Sequence, residues 1–171
     1  NFDNRYLTNR GGMGYRYRKG GFFGTVDMNY QNAQLHSDQI FPRVSEVNTS
    51  FNNFMPGAML SYRSKSGNQL RLFYRTSTQE PSVNQLQNVI NNRNPLSLSA
   101  GNPNLKQSYT NTLNLRFTAT NKETFSSFQS FIFLSKTDNA ITNSTFIAKE
   151  QVELEDGIIL QKGAQLTRPV N

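Results

Sequence analysis

The chain has 171 residues, of which 35% are hydrophobic and 17% charged, with a net charge of +7. Cysteine is absent and His36 is the single histidine, which excludes disulfides, thiolate metal sites, cysteine nucleophiles and histidine clusters. Thirteen Phe and seven Tyr set among many Asn, Gln, Ser and Thr suit strands with one wet and one apolar face better than a domain with a charged coat.

The first element is a hairpin. Tyr15 and Tyr17 alternate with Gly14, Arg16 and Arg18, and Lys19-Gly20-Gly21 supplies a tight turn. The second strand puts Phe22, Gly24, Val26, Met28 and Tyr30 on one face, and Phe23, Thr25, Asp27, Asn29 and Gln31 on the other. A polar segment then runs from about Asn32 to Asn53 and contains His36, read as a solvated side chain. A third strand from Phe54 carries Pro56, Ala58, Leu60 and Tyr62 on its apolar face, with Met55, Gly57, Met59, Ser61 and Arg63 opposite. After the turn Ser64–Asn68, a fourth strand alternates Leu70, Leu72 and Tyr74 with Arg71, Phe73 and Arg75.

The segment from Ser77 to Ser108 is expected to be a long loop. Within it Ser82 caps a short helix, and Val83, Leu86, Val89 and Ile90 stand at helical spacing. The turn Gly101-Asn102-Pro103-Asn104 leads to a fifth strand. There Tyr109, Asn111, Leu113, Leu115 and Phe117 share one face, and Thr110, Thr112, Asn114 and Arg116 the other. Asn121-Lys122-Glu123 is the next short turn. The sixth strand, Phe125 to about Thr137, has Phe or aliphatic residues on both alternating sets, so its facing stays open. A polar stretch through Phe146-Ile147 and Val152 reaches a hairpin turn at Asp156-Gly157.

Short and long connections alternate. In an antiparallel meander this places every short turn at one end of the sheet and every long loop at the other, as in outer-membrane barrels. The fold expected is all-β, an antiparallel meander of about six to eight strands forming part of a transmembrane β-barrel. No apolar run reaches the ~18 residues of a membrane helix, but barrel strands are half polar and hide from that criterion.

The candidate lipid-facing residues are Phe22, Val26, Met28, Leu60, Leu70, Leu72, Leu113, Leu115 and Phe117, and the candidate interface aromatics are Tyr30, Tyr62, Tyr74 and Tyr109. The candidate lumen-facing residues are Arg16, Arg18, Asp27, Arg63, Arg71, Arg75 and Arg116. A dry core does not accept six arginines without partners, whereas a wet or polar-packed lumen does.

No catalytic constellation is present. Asp27 with Asp138, and Glu150, Glu153 and Glu155, read as solvated or salt-bridged carboxylates rather than acid–base pairs or a calcium loop. An enzyme, a cofactor and a metal are not expected. The basic residues are scattered rather than run together, so nucleic acid is not expected as a partner despite the charge.

Three phrases resemble the barrel of TonB-dependent receptors of the Bacteroidetes type. They are Pro81-Ser82-Val83-Asn84-Gln85-Leu86, Gly101-Asn102-Pro103-Asn104-Leu105-Lys106 and Lys136-Thr137-Asp138-Asn139-Ala140-Ile141, in that order and spacing. The resemblance covers residues 54–141 well and the flanks by pattern. It implies a portion of a barrel in the outer membrane of a Gram-negative bacterium, taking up a nutrient such as a glycan, peptide or metal chelate. The partners it implies are the remainder of the barrel, a plug domain, the bilayer, the energy-transducing TonB complex and a surface lipoprotein. Residues 1–171 are expected to be a fragment of the barrel domain, with plug and terminal strand outside it. A soluble β-rich binding module or adhesin is the alternative, and a basic nucleic-acid-binding β-protein a more distant one.

Overall fold

A computed structural model describes residues 2–39, 45–121, 123–154 and 157–171. Its main body is one antiparallel sheet of six strands in the order β1-β2-β3-β4-β7-β8, a meander open at both edges. The strands are β1 (Phe2–Lys19), β2 (Phe22–Gln39), β3 (Ser45–Arg63), β4 (Gln69–Gln79), β7 (Ser108–Asn121) and β8 (Ser126–Asp138). The remaining elements are α1 (Val83–Leu86), β5 (Ile90–Asn91), β6 (Ser97–Ala100), β9 (Thr142–Ile147), β10 (Val152–Glu153), β11 (Ile159–Leu160) and β12 (Gln165–Val170). Among the described residues no helix is long and apolar enough to cross a membrane.

The alternation read in the sequence is the alternation of the sheet. Tyr17, Gly24, Leu60, Leu72, Leu115 and Ile132 form one register line across all six strands. One residue along, on the opposite face, the line is Arg18, Phe23, Ser61, Arg71, Arg116 and Phe131. Side chains alternate strictly along a strand, so the register also resolves the facing of β8. Phe128, Ile132 and Leu134 join the apolar face, while Phe131 and Phe133 stand among the arginines.

Three expectations are corrected. The polar segment read from Asn32 to Asn53 is mostly strand, because β2 continues to Gln39 and β3 begins at Ser45; residues 40–44 lie outside the described residues. There the apolar residues Ala33, Leu35, Val47 and Phe51 fall on the parity that bears the arginines nearer the turns, so the apolar stripe of Phe22–Tyr30 does not continue, yet the ladder from Asn32–Asn52 to Gln39–Ser45 satisfies the backbone. The helix stops at Leu86: Gln87 turns extended at its C-cap, and Ile90 enters β5 instead of a second helical turn. Asn121 is the last residue of β7, so the turn begins after it; Lys122 lies outside the described residues.

The connections at the far end from the short turns build their own structure. The β4–β7 connection contributes β5 and β6, and the chain after β8 contributes β9 and β12, to one four-stranded sheet in the order β5-β6-β12-β9. Its core is Ile90, Leu98, Ala100, Ala148, Leu160 and Ala164. The late hairpin is the small β10–β11 pair, closed by Leu154 N–H to the Ile158 carbonyl; Glu155 and Asp156 lie outside the described residues. Gly157, read as part of that turn, has φ of +68°.

Candidate functional site

The wall has two chemically distinct faces. On the apolar face the line Leu60-Leu72-Leu115-Ile132 is flanked by Tyr15-Val26-Ala58-Tyr74-Leu113-Leu134 and by Phe22-Tyr62-Leu70-Phe117. Met28 continues it on β2 and is exposed, as are Phe22, Val26, Leu70 and Phe117. An uncovered apolar surface of this extent marks contact with a partner or a membrane. The stretch Phe22–Tyr30 has the about 9–11 residues that a tilted strand needs to cross a hydrocarbon core.

The same face turns polar at a defined height. The Tyr30 hydroxyl donates to Asn52 at 2.9 Å and Asn32 donates to the same amide oxygen at 2.7 Å. Further across the same face, the Tyr74 hydroxyl donates to Asn111 at 2.7 Å, Asn111 stands opposite Lys136, and Lys136 pairs with Asp138 at 2.9 Å. Tyr74 therefore sits mid-strand, not at a strand end as its sequence position suggests, and only its hydroxyl reaches the polar rim. Tyr62 lies at the opposite, short-turn end. Tyr rings with an apolar body and a wet tip belong at such boundaries.

Tyr109 does something else. The β3–β4 ladder ends at Gly57–Arg75. Beyond it, the Thr76 hydroxyl donates to the Pro56 carbonyl at 3.0 Å and the Tyr109 hydroxyl to the Phe54 carbonyl at 2.6 Å. Side chains thus replace the missing backbone donors where the two strands part.

The opposite face carries every candidate lumen residue, all of them exposed. Arg16 and Arg18 lie over the Phe23 ring at 5.9 and 5.6 Å. Arg63 donates to Gln69 at 3.3 Å and Arg116 to Gln129 at 3.0 Å. Arg71 and Arg116 are direct cross-strand neighbours, an arrangement that like charges disfavour. Asp27 shares a register line with Arg75 but sits over Gly57, where an added Cβ would lie 2.7 Å from the carboxylate. His36 pairs with Asn48 and is exposed, as the sequence suggested. Among the described residues no group of acids and histidines could hold a metal.

Further from the short turns, the arginine face holds a hub that alternation does not reveal. Glu80 accepts from Gln107 at 2.6 Å and from Gln31 at 3.2 Å, and Thr78 lies at 3.5 Å. Gln31 in turn accepts from Arg10, and Gln107 accepts from Asn53. The hub joins β1, β2 and β3 to both ends of the β4–β7 connection. Above it that connection folds onto the wall, where Leu86 and Leu105 pack with Leu35 and Val47. The N-cap predicted at Ser82 is present, and the structure adds Gln85 as its reciprocal partner in a capping box. The Gly101-Asn102-Pro103-Asn104 turn seats against it: Asn102 N–H donates to the Gln85 carbonyl at 2.6 Å, and its side chain donates to the Pro169 carbonyl at 3.0 Å. A Cβ on Gly101 would collide with the Gln87 carbonyl, which is why glycine stands there.

The Tyr6 hydroxyl also donates to Glu80, and its pKa is pushed up to about 12, first by burial and then by that hydrogen bond. A free phenol loses its proton near ~10. The native state therefore holds the proton longer than the detached state. Stability from this contact is full below about pH 10 and lost as pH rises towards about 12. Protease access to the exposed stretch Asn91–Leu96 is expected to rise across that window, and Tyr6→Phe to remove the step.

Residues 25–163 match the outer membrane protein beta-barrel family. No curated protein and no solved structure matches the chain.

Proposed function

The chain belongs to the outer membrane β-barrel family, and from that premise we propose that it is a portion of the barrel of a TonB-dependent receptor that takes up a nutrient across the outer membrane of a Gram-negative bacterium. The partition of the wall carries this reading. An apolar band whose single charge between the short turns and the polar rim is Lys19, beside the Gly20-Gly21 turn, backs directly onto a face with six arginines, as a wall between lipid and a filled lumen requires. Phe22, Val26, Met28, Leu60, Leu70, Leu72, Leu113, Leu115 and Phe117 then meet lipid, with Tyr30, Tyr62, Tyr74 and Tyr109 near its borders. Arg16, Arg18, Asp27, Arg63, Arg71, Arg75 and Arg116 face the lumen.

The six-stranded sheet is open at both edges, and lipid does not tolerate unpaired edge groups. In the bilayer those edges pair with the remainder of the barrel. The two outer connections, joined in the β5-β6-β12-β9 sheet, offer the surface that first meets a nutrient or a surface lipoprotein. Chemistry is not assigned to this chain; its work is scaffolding, contact and passage, with energy supplied through a plug by the TonB complex.

Uptake by cells expressing the full-length protein tests the proposal. Transport of the nutrient is expected to stop when the energy-transducing complex is deleted, while the protein stays in the outer membrane. Uptake that persists without the complex would make the protein a passive channel. A full-length protein that is monodisperse in water without detergent would end the membrane reading itself.

A further inference from the structure

The outward face of the wall changes chemistry at Tyr30. Towards the short turns it is the apolar band. Away from them β1, β2 and β3 continue on the same side for three more rows, Asn9-Asn32-Asn52, Leu7-Gln34-Ser50 and Arg5-His36-Asn48. Asn32 is half-buried and the other eight side chains are exposed. On the reverse face of the same stretch Gln31, Ala33, Leu35, Ser37 and Val47 are buried. The outer part of the sheet is thus the inner part turned inside out. Its apolar side packs under the β4–β7 connection through Leu86 and Leu105, and its polar side looks outward.

Seven of the nine outward residues are neutral hydrogen-bonding side chains, and Arg5 carries the one formal charge. The row nearest the apolar band is locked. The Asn52 amide oxygen accepts from the Tyr30 hydroxyl at 2.9 Å and from Asn32 at 2.7 Å. That arrangement turns the Asn52 N–H groups and the Asn32 amide oxygen to other partners, a donor and an acceptor side by side. At the same height the Tyr30 and Phe54 rings stand 5.2 Å apart, and they are 45% and 65% exposed.

Hydrocarbon does not suit these rows, because it satisfies no amide. A layer of lipid phosphates calls for clustered cations, and one arginine in nine positions does not supply them. Sugars match on each count. Their adjacent hydroxyls donate and accept as the amides do, and their C–H faces lie against aromatic rings. The rows begin where the apolar band ends and continue without a break for about 20 Å, the six residues from Tyr30 to His36 at ~3.4 Å each. A ligand seated there stands beside the lipid headgroups.

We propose that these three rows bind the uncharged sugars of a glycolipid of the outer leaflet, whose acyl chains lie against the apolar band. One lipid then crosses the border at Tyr30, with its chains on Val26 and Met28 and its sugars on the amides of Asn9, Asn32 and Asn52. The inference rests on the lipid placement proposed above and is indifferent to how uptake is energised.

The test uses the full-length protein, extracted from outer membranes in mild detergent and stripped of bound lipid. It is offered lipopolysaccharide with its core sugars intact, or the same lipid cut back to its acylated anchor, and native mass spectrometry counts the bound lipid. The intact form is expected to bind about tenfold tighter or more, the effect of two or so ordinary hydrogen bonds. The N32A/N52A variant is expected to bring the two forms within about twofold, and Met59→Gln on the opposite face to keep the preference. Equal binding by the unaltered protein, or a preference that survives N32A/N52A, would overturn the proposal. Free core oligosaccharide that competes as well as the intact lipid would also overturn it, since the ligand would then come from solution. A photoreactive amino acid at Gln34, with the amide rows intact, reports even if the double variant fails to assemble. Its main product in outer membranes is expected to carry the glycolipid, and a product only with a second copy of the chain or another protein would overturn the proposal. Normal assembly of a Leu72→Arg barrel would remove the lipid placement itself, whereas equal binding with that placement intact removes the sugar site alone.

Discussion

Leu72→Arg is expected to remove most of the folded protein from the outer membrane. Leu72 stands between Leu60 and Leu115 at the centre of the apolar face, with Ile132 one strand further. A guanidinium near the bilayer midplane costs about 2–4 kcal/mol, and ~1.4 kcal/mol is already a tenfold shift in population. The readout is the heat-modifiable band of the full-length barrel in isolated outer membranes. Met59→Gln is the control: it lies on the opposite face, between Thr25 and Phe73 in the register, and is expected to assemble at the normal level. Equal losses for both variants would mean that the two faces do not differ in what they meet.

Glu80→Leu is expected to release the β4–β7 connection from the wall. The substitution leaves Gln31, Gln107 and Tyr6 without the acceptor they share. A hydrogen bond to a charged group contributes about 1.5–3 kcal/mol, and a buried donor left unsatisfied costs about as much again. Gln31 and Gln107 are both buried, so the penalty falls on groups that water does not reach. External protease is expected to cut the exposed stretch Asn91–Leu96 at least about tenfold faster, since opening of a local unit tracks its free energy. The β-sheet signal and the amount of barrel in the membrane stay unchanged, because the β4–β7 ladder does not involve the Glu80 side chain. Unchanged cleavage would show that the packing of Leu86 and Leu105 holds the connection without the hub.

These two sites differ in how far the sequence reveals them. The apolar line was legible because Val26, Met28, Leu72 and Leu115 sit at period two between Gly-bearing or Asn-bearing turns, and each strand could be read alone. The β8 facing was not, because Phe128, Phe131 and Phe133 place aromatic residues on both parities; only pairing with β7 separates them. The outer parts of β2 and β3 were hidden for the converse reason. Asn32, Gln34, His36, Asn48, Ser50 and Asn52 make one face wholly polar, and the few apolar residues opposite, Ala33, Leu35, Val47 and Phe51, switch parity relative to the apolar stripe below, so a ladder of strands reads as a polar loop. The hub lay beyond reach altogether, since Gln31 and Glu80 are 49 residues apart and meet only through the register of other strands. Where local rules sufficed, in the Ser82 N-cap and the Gly101 turn, the residues pointed correctly to what they form.

The parallel pairing of β6 with β12 sets an order of events. Ser97 and Gln165 meet across 68 residues, and the strand between β6 and β9 in that sheet is β12, the latest of its four strands in chain order. Neither β5–β6 nor β9 has a sheet to join until β12 arrives, whereas the β1–β2, β3–β4 and β7–β8 hairpins of the wall close over a few residues. Loop-closure entropy delays such distant contacts. The wall can therefore zip strand by strand while the outer connections remain slack enough to be carried through the membrane, and the surface they form acquires its shape only after the crossing is complete.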